Sequence, residues 1–433
     1  MGSVILVYGG VERIEESHIW PKITLLGIVT MLLLYLVDLY DIHVRRGEGE
    51  LLIRVGLASL IAAMVIAAIG HALPFLRFGR MGLLLILSLS TLGLIAFRIT
   101  TDYVRSNERL QKRVLVLGAG LADAIISSEG QHGAIPYKIL GFLDDEPRAY
   151  DQIPPGYDLL GNPNELLNIV ERLHPDILLV ALTNMRGNFP AGDILECRFR
   201  GLRIQEWPTF YEKLTGKIFV NSLRPSWLIF SDGSVTTRLT ETIKRVLDIS
   251  FAIAGLVLSA PLMAVAAICI KLDSTGPIFF RQERVGKHGQ VFMLYKFRSM
   301  REDAEQMSGP VWASEDDPRV TRIGKILRKI RLDETPQMFN VLVGNMSFIG
   351  PRPERPVFVN QLKEQIPFYA LRFAVKPGIT GWAQVKYQYG STVEDAMEKL
   401  QYDLYYVKNI SVFLDILVLL NTIRVVLFSR GAR

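Results

Sequence analysis

The stretch "ISFAIAGLVLSAPLMAVAAICI", residues 249–270, is an unbroken apolar run of 22 residues with Pro261 near its middle. As a helix rising about 1.5 Å per residue it would cover about 33 Å, which is enough to cross a bilayer. Basic residues stand on both sides of the run, beginning with Lys244 before it and Lys271 after it, and basic flanks favour the cytoplasmic face. Because a proline removes a helix hydrogen bond, the run predicts a re-entrant helix that breaks at Pro261 and returns to the side it entered from. A plain kinked span is the alternative.

Three earlier apolar runs predict transmembrane helices at residues 21–38, 51–73 and 81–97. Each is close to the roughly 20 residues that a bilayer crossing requires, and buried helices of a soluble bundle are the alternative. Arginines and lysines cluster directly after the third run. By the positive-inside tendency, the chain that follows is expected in the cytoplasm. The C-terminal run 412–428 carries Asp415, Asn421 and Arg424, which predicts a helix lying in the membrane interface.

The charge and the cysteine count limit the function classes. Lysine and arginine exceed the acids by six, which fits nucleic acid, anionic lipid headgroups or phosphorylated substrates equally well. The two cysteines, Cys197 and Cys269, lie far apart, so a disulfide framework and a thiolate metal site are not expected. The six histidines are scattered without ligand spacing, and zinc chemistry is not expected.

Residues 106–207 alternate between strand-like and helix-like segments and predict a Rossmann-like α/β domain. Its first unit, "KRVLVLGAGLAD" at 112–123, runs from an apolar strand into a glycine turn. The third glycine of a dinucleotide fingerprint is replaced by Asp123, and an acid at a helix start repels a pyrophosphate. A regulatory or oligomerising module is therefore favoured over dinucleotide binding. The predicted domains are 1–105 for the transmembrane region, 106–207 for this domain, 208–240 for a linker and 241–433 for a C-terminal domain.

The segment "RLDETPQMFNVLVGNMSFIGPRP", residues 331–353, places the adjacent acids Asp333 and Glu334 among arginines. Asp333 as the N-cap of a helix is one interpretation. A reaction centre is the other: neighbouring helical residues point about 100° apart, so one acid can face a substrate while the other holds a metal. A carboxylate beside Arg328 and Arg331 is expected to stay ionised. The spacing leaves both interpretations open.

Basic residues and rigid turns surround this acid pair in the sequence. In residues 271–300 the basic positions, Lys296 among them, alternate with aromatics and glycines, which favours phosphate binding over a solvated charged face. "GPRPERP" places Arg352 between Pro351 and Pro353. Such a turn can present its arginine and its main-chain N–H groups to an anion.

The chain from Lys244 to the C-terminus resembles the bacterial sugar transferase family, the monotopic polyprenyl-phosphate hexose-1-phosphate (phosphoglycosyl) transferases. The matching segments are "KRVLDI", the Pro261 position, "GPIFFRQERVG", "KFRSM", "LDETPQ", "NVLVGNMSFIGPRP", "VKPGITGWAQV" and "YDLYYVKNIS". With its preceding apolar runs and α/β domain, the whole chain looks like the large, multi-span form of this family, of the exopolysaccharide type. The resemblance implies a membrane protein whose α/β-type catalytic domain carries a re-entrant helix.

The resemblance also implies a reaction and the roles of its residues. Asp333 would attack the β-phosphorus of a UDP-sugar and release UMP, and undecaprenyl (polyprenyl) phosphate would then take the sugar phosphate from the aspartate. Glu334 would hold Mg²⁺, Arg328, Arg352 and Lys296 would bind substrate phosphates, and Asp403 would be a supporting acid. Pro351 and Pro353 would shape the turn, and Pro261 would break the membrane helix.

The implied partners are the UDP-sugar, undecaprenyl phosphate, membrane lipids, downstream glycosyltransferases and a second copy in a homodimer, with no nucleic acid. The implied location is the bacterial inner membrane, with the catalytic domain on the cytoplasmic face. Glucose or galactose is the expected sugar, and N-acetylated hexoses are the alternative. Two other interpretations stand beside this one: a non-catalytic scaffold or sensor for polysaccharide export, and a nucleotide-sugar oxidoreductase, which would need the glycine fingerprint that Asp123 interrupts.

Overall fold

The computed structural model describes residues 19–36, 48–76, 79–106, 111–131, 137–145, 153–182, 189–220, 223, 237–301, 317–387, 390 and 392–427. The chain divides into two compact units, Met1–Phe210 and Tyr211–Arg433. Each unit is described by itself.

The first unit begins with three helices at the positions of the three N-terminal apolar runs. They are α1 (Ile19–Leu36), α2 (Glu48–Ala72) and α3 (Arg80–Ser106). Ala58, Ala62 and Ile66 form a buried stripe along α2, and Ser59 and Thr91 share a hydrogen bond of 2.7 Å between α2 and α3. Among the described residues, only one helix is long and apolar enough to cross a membrane, and it lies in the second unit. The three N-terminal spans therefore stay a prediction.

The rest of the first unit is built around a parallel sheet of five strands in the order β3-β2-β1-β4-β5, an order found in doubly wound α/β domains. The strands are β1 (Lys112–Leu117), β2 (Tyr137–Leu143), β3 (Leu159–Gly161), β4 (Ile177–Val180) and β5 (Arg203–Glu206). The helices that accompany them are α4 (Ala122–Gln131), α5 (Leu166–Leu173) and α6 (Ala191–Phe199). A further helix, α7 (Trp207–Thr215), begins in the first unit and ends in the second. Strand β4 and the last four residues of β1 are buried on both faces, as central parallel strands are.

The glycine turn after β1 is closed by the domain's own residues. Gly118 has a φ of +106°, and a Cβ there would lie 2.9 Å from the main chain of Ala181, so only glycine fits. The carboxylate of Asp144 accepts a hydrogen bond from the Ala119 N–H at 2.6 Å. The Ala119 N–H in this turn is thus satisfied from within the domain.

The second unit begins earlier than the predicted catalytic domain. Ile218, Val220 and Leu223 fall in the predicted linker 208–240, yet they are buried in a core that also contains Leu362 and Leu404. The start of that linker is therefore part of the folded unit rather than an exposed connection. The physical reason is that these apolar side chains lose their contact with water by packing in that core.

The apolar run 249–270 lies within helix α8 (Arg238–Asp273), which Thr237 caps by accepting the Thr240 N–H at 3.2 Å. The helix continues through Pro261, so the predicted break at this residue is wrong as an interruption of the helix. A proline removes one hydrogen bond and is compatible with a continuing helix. Around it the Ser259 hydroxyl donates to the Gly255 carbonyl at 2.6 Å.

One side of α8 packs on the second unit through Ala252, Ala266 and Ile270, which are buried. The opposite side exposes large apolar residues, namely Leu239, Ile243, Val246, Ile253, Val257, Leu258, Leu262, Val265, Ile268 and Leu272. This continuous apolar surface is far larger than the isolated apolar residues that a soluble protein exposes.

The two ends of α8 are both tied to the same folded unit. Near its start, Asp248 accepts hydrogen bonds from the Ser347 hydroxyl at 2.9 Å and the Phe348 N–H at 2.8 Å. At its end, Asp273 accepts the N–H of Ile323 at 3.1 Å. Lys244, which precedes the apolar run, also contacts this unit: its ammonium pairs with Asp415 at 2.7 Å.

The remaining elements of the second unit are short. They are β6 (Phe279–Val285), β7 (Val291–Phe297), α9 (Arg322–Lys329), α10 (Gln337–Val343), β8 (Ser347–Ile349), α11 (Pro356–Gln365), β9 (Gly378–Thr380), α12 (Trp382–Lys386), α13 (Val393–Lys408) and α14 (Val412–Leu427). Strands β6 and β7 form an antiparallel hairpin, and β8 pairs in parallel with β9. Helix α14 exposes Phe413, Ile416 and Ile423 while Asp415 and Asn421 are buried, so its polar residues face the protein.

Candidate active site

The acid pair lies in a single 3₁₀ turn, Leu332–Glu334, between α9 and α10. Arg331 precedes the turn with a φ of 60°, a left-handed conformation that is uncommon for a residue with a side chain. This reverses the chain after α9 and directs both acids into the unit. The interpretation of Asp333 as an N-cap is wrong, because the residue before α10 is Pro336.

Glu334 is held by two basic side chains, Lys296 and Arg352, for which the family resemblance implies phosphate binding. Its Oε1 accepts from Lys296 Nζ at 2.8 Å and from Arg352 Nη2 at 2.6 Å, while its Oε2 has one longer contact, 3.5 Å to Arg352 Nη1. Arg352 and Lys296 hold the pKa of Glu334 well below its usual value despite burial. The Glu334 carboxylate is therefore ionised throughout the neutral range.

Asp333 is buried, with 8% of its surface exposed. Within the part of the chain that the structure describes, its carboxylate accepts no hydrogen bond. Burial first, and then the charge of Glu334, raise the pKa of Asp333 to about 6, against the opposing effects of Lys296, Arg328 and Arg352. Arg328 and Arg352 favour the ionised form of Asp333, but desolvation outweighs them, so its pKa lies above the ordinary aspartate value.

Arg328 lies on α9, near enough to Asp333 for its charge to lower the pKa of that acid, and it is oriented by Ser299, which follows β7. Its Nε donates to the Ser299 hydroxyl at 3.0 Å. Helix α9 approaches this segment closely, since a Cβ on Gly324 would lie 2.0 Å from the Ser299 carbonyl oxygen. Only glycine at position 324 lets α9 come near enough to place Arg328 beside the acid pair.

The Pro-Arg-Pro turn follows β8 and is held through four successive main-chain carbonyls. Pro351 O accepts from Gly378 N at 2.9 Å, and Arg352 O accepts from Arg372 Nη2 at 3.0 Å. Pro353 O accepts from Arg284 Nη1 at 3.0 Å, and Glu354 O accepts from Val285 N at 2.9 Å. Because the two prolines have no N–H of their own, these donors from outside the turn define its position.

Close contacts between glycines bring the turn against β9. A Cβ on Gly378 would lie 2.1 Å from the nitrogen of Gly350, and one on Gly381 would lie 2.2 Å from the Gly350 carbonyl oxygen. The glycines of "GPRP" and "PGITG" are needed because the two main-chain segments touch directly, leaving no room for a Cβ.

Asp403 does not contact the acid pair. It lies on α13, buried, and its Oδ2 pairs with Arg372 Nη2 at 2.7 Å. Burial raises the pKa of Asp403 to about 6, while Arg372 opposes that rise. The structure thus shows Asp403 paired with Arg372, and its role as a supporting acid stays a prediction.

Arg372, Ser299 and Arg284 contact the site residues, and none of the three was singled out as a site residue from the sequence. Each acts by holding another residue, and such a role depends on contacts between segments that are distant in the chain. The only signal in the sequence is that Ser299 lies in "KFRSM" and Arg284 in "GPIFFRQERVG", both among the family-like segments.

Comparison with known proteins shows the family to which this chain belongs. A family model described as bacterial sugar transferase matches residues 239–429. The chain is 44% identical over 241 residues to the UDP-N-acetylgalactosamine-undecaprenyl-phosphate N-acetylgalactosaminephosphotransferase of Aeromonas hydrophila, covering 55% of this chain and 56% of that relative. It is 32% identical over 332 residues to the undecaprenyl-phosphate glucose phosphotransferase of Komagataeibacter xylinus, covering 75% of this chain and 60% of that relative.

A third relative is covered almost completely. The exopolysaccharide production protein PSS of Rhizobium leguminosarum bv. phaseoli is 41% identical over 186 residues, which cover 42% of this chain and 93% of the relative. The first two matches, by contrast, span little more than half the length of those relatives. The matched family segment contains the acid pair, its cations and the Pro-Arg-Pro turn, and the chain belongs to the bacterial sugar transferase family.

Proposed function

We propose that this chain transfers a sugar 1-phosphate from a UDP-sugar to undecaprenyl phosphate, with Asp333 as the nucleophile, as the first membrane step of exopolysaccharide synthesis. The observation that carries the proposal is the difference between the two adjacent acids. Glu334 is engaged by Lys296 and Arg352, whereas Asp333 is buried without a hydrogen bond in the described part of the chain. A carboxylate that is desolvated and unpaired is the more nucleophilic of the two.

The two steps balance at one phosphorus atom. In the first, an Asp333 oxygen bonds to the β-phosphorus as the bond from that phosphorus to the bridging oxygen breaks, and UMP leaves with the electron pair. In the second, a phosphate oxygen of the lipid bonds to the same phosphorus, and the Asp333 carboxylate is released. Arg328, Arg352 and Lys296 supply positive charge for the phosphates, a recurring requirement of phosphoryl transfer.

Mg²⁺ fits this site beside Glu334. No group of three or more His, Cys, Asp or Glu side chains among the described residues is placed to enclose a metal. Mg²⁺, however, commonly takes one or two carboxylates and completes its shell with substrate phosphates and water. Glu334 Oε2, with only its 3.5 Å contact, is the oxygen that would hold it, and Mg²⁺ bound there would neutralise phosphate charge.

The reaction is tested with a panel of radiolabelled donors. Membranes containing this chain are incubated with UDP-glucose, UDP-galactose and their N-acetylated counterparts, each with the label in the sugar. We expect one donor to transfer label to undecaprenyl phosphate and to release UMP. If none labels the lipid above membranes that lack the chain, the proposal is wrong. The relatives named for glucose and for N-acetylgalactosamine transfer make those two donors the first to be tried.

The pH dependence of this activity is a further prediction. Asp333 must be ionised to attack, and burial and Glu334 raise its pKa to about 6. Since the active form is the deprotonated one, kcat/KM is expected to fall as pH drops through about 6, rather than near the ordinary aspartate value. Arg328 lowers this pKa, so Arg328→Gln should move the acid limb to higher pH. A profile that is flat down to pH 5 would contradict the assignment.

Membrane topology follows from the anchoring of α8. We propose that the helix re-enters on the cytoplasmic face of the inner membrane, supported by the contacts of Asp248 and Asp273 with the same unit and by its exposed apolar side. Single cysteines at the exposed positions Thr242→Cys and Thr275→Cys, in a background without Cys197 and Cys269, report the topology. Both should be protected from an impermeant maleimide in intact cells and react after permeabilisation. Reaction of the Thr275→Cys site alone from outside would show a true span.

A further inference from the structure

We infer that Arg372, held by Asp403, is a positioning residue that sets the Arg352 guanidinium against Glu334 and the donor phosphates. The inference rests on the proposed function for its kinetic consequence, and on the geometry alone for its structural one. Neither Arg372 nor Asp403 contacts the acid pair in the described residues. Their effect on the reaction would pass entirely through Arg352.

The contacts of Arg372 form a bridge between distant elements. Nη2 pairs with Asp403 on α13 at 2.7 Å and donates to the main-chain carbonyl of Arg352 at 3.0 Å. Nη1 donates to the Tyr369 hydroxyl at 2.5 Å. One planar group therefore meets two hydrogen-bond acceptors and one ion-pair partner, which come from three segments. A guanidinium provides this geometry and an ammonium does not.

Burial makes this bridge rigid. The side chains of Arg372 and Asp403 are 7% and 2% exposed, and the Tyr369 ring lies 5.1 Å from the Arg372 guanidinium. A buried charge without its partner is strongly unfavourable, so the two side chains stay together. Asp403 and Tyr369 therefore hold the Arg372 side chain in place independently of its contact with the Pro-Arg-Pro turn.

Arg372 contacts the Pro-Arg-Pro turn at the residue whose neighbours cannot donate main-chain hydrogen bonds. Arg352 lies between two prolines, so its flanking residues offer no N–H groups to hold the main chain. Its carbonyl is the one that Arg372 holds, and its guanidinium is the group that contacts Glu334 at 2.6 Å. A shift of the main chain moves the guanidinium with it, and displacements of about 1 Å at a catalytic group can cost about 100-fold in rate.

The structural consequence is tested without any assay of activity. Hydrogen–deuterium exchange is measured over a peptide covering Gly350–Arg355 in the full chain and in the variants Arg372→Lys and Asp403→Asn. The matched control is Glu212→Gln, which removes a buried ion pair of the same unit, Glu212 with Lys408 at 2.7 Å, also on α13. Faster exchange of this peptide in the first two variants, and wild-type exchange in the control, supports the inference. Equal exchange in all three overturns it.

The kinetic consequence is tested by a double-mutant cycle. Arg372→Lys should lower kcat/KM for the UDP-sugar about 10- to 100-fold in the wild-type background. In an Arg352→Ala background, Arg372→Lys should lower kcat/KM by less than about twofold further, because the Arg352 guanidinium that Arg372 positions is already absent. If the two losses multiply instead, Arg372 acts independently of Arg352 and the inference is wrong. Absence of turnover by the wild-type chain with every donor would refute the proposed function, and the exchange experiment would still decide the inference.

Discussion

Asp333→Asn is expected to reduce sugar-phosphate transfer by about 10⁴-fold or more and to abolish labelled sugar phosphate bound to the protein. An amide is not a nucleophile toward phosphorus, and loss of a covalent nucleophile is among the largest single-residue effects on catalysis. Asparagine has nearly the same shape, and the Asp333 carboxylate accepts no hydrogen bond among the described residues, so the folded structure should change little. The measurements are UMP release, label in the lipid and label retained on denatured protein.

A suitable control is another buried aspartate of the same unit. Asp415 is 6% exposed and pairs with Lys244 and the Tyr406 hydroxyl, away from the acid pair. Asp415→Asn should lower the thermal midpoint more than Asp333→Asn does, yet still form the labelled protein intermediate. Turnover by Asp333→Asn within tenfold of wild type would show that the nucleophile is another group.

Glu334→Gln is expected to affect both stability and activity. It leaves Lys296 and Arg352, which both bind Oε1, close together without an acid between them. Removing one partner of a buried ion pair typically costs about 3–5 kcal/mol, and the Glu334 side chain is 12% exposed. Loss of the ordered Arg352 and of the proposed Mg²⁺ ligand should reduce kcat/KM about 100-fold or more.

The two effects of Glu334→Gln are separated by a conservative variant and by chelation. Glu334→Asp keeps the charge and should recover most of the stability while recovering less activity, because the shorter side chain cannot meet both cations as before. The wild-type chain should lose activity in excess EDTA and regain it with Mg²⁺, and Glu334→Gln should need more Mg²⁺ to reach half of its own maximum. Full wild-type activity in EDTA would remove Mg²⁺ from the proposal.

The role of Glu334 illustrates the limit of reading adjacent acids from a sequence. "LDETPQ" places Asp333 and Glu334 side by side but does not distinguish them. Their difference arises because Lys296 on β7 and Arg352 after β8 both converge on Glu334. These residues are 38 and 18 positions away in the chain. Their convergence on Glu334 results from tertiary packing, and a local sequence pattern does not reveal it.

Helix α8 shows the same limit in another form. The apolar run predicted a helix, and α8 contains the whole run. Lys244 and Arg245, however, bind Asp415 and the carbonyls of Val341 and Leu342 rather than standing free at its edge. A basic residue beside an apolar run satisfies the topology rule and an ion pair equally well, and only the folded chain distinguishes the two.

The sequence by itself determined the family, the parallel α/β pattern of the first unit, the apolar helix and the residues of the acid pair and the Pro-Arg-Pro turn. These follow from order and periodicity along the chain, which local hydrogen bonding and hydrophobic burial translate directly into elements. Only the tertiary structure decided which acid is desolvated and which is paired, that Pro261 does not end the helix, and that Asp403 pairs with Arg372. The physical reason is that desolvation and ion pairing depend on what packs around a side chain, and residues far apart in sequence supply those neighbours.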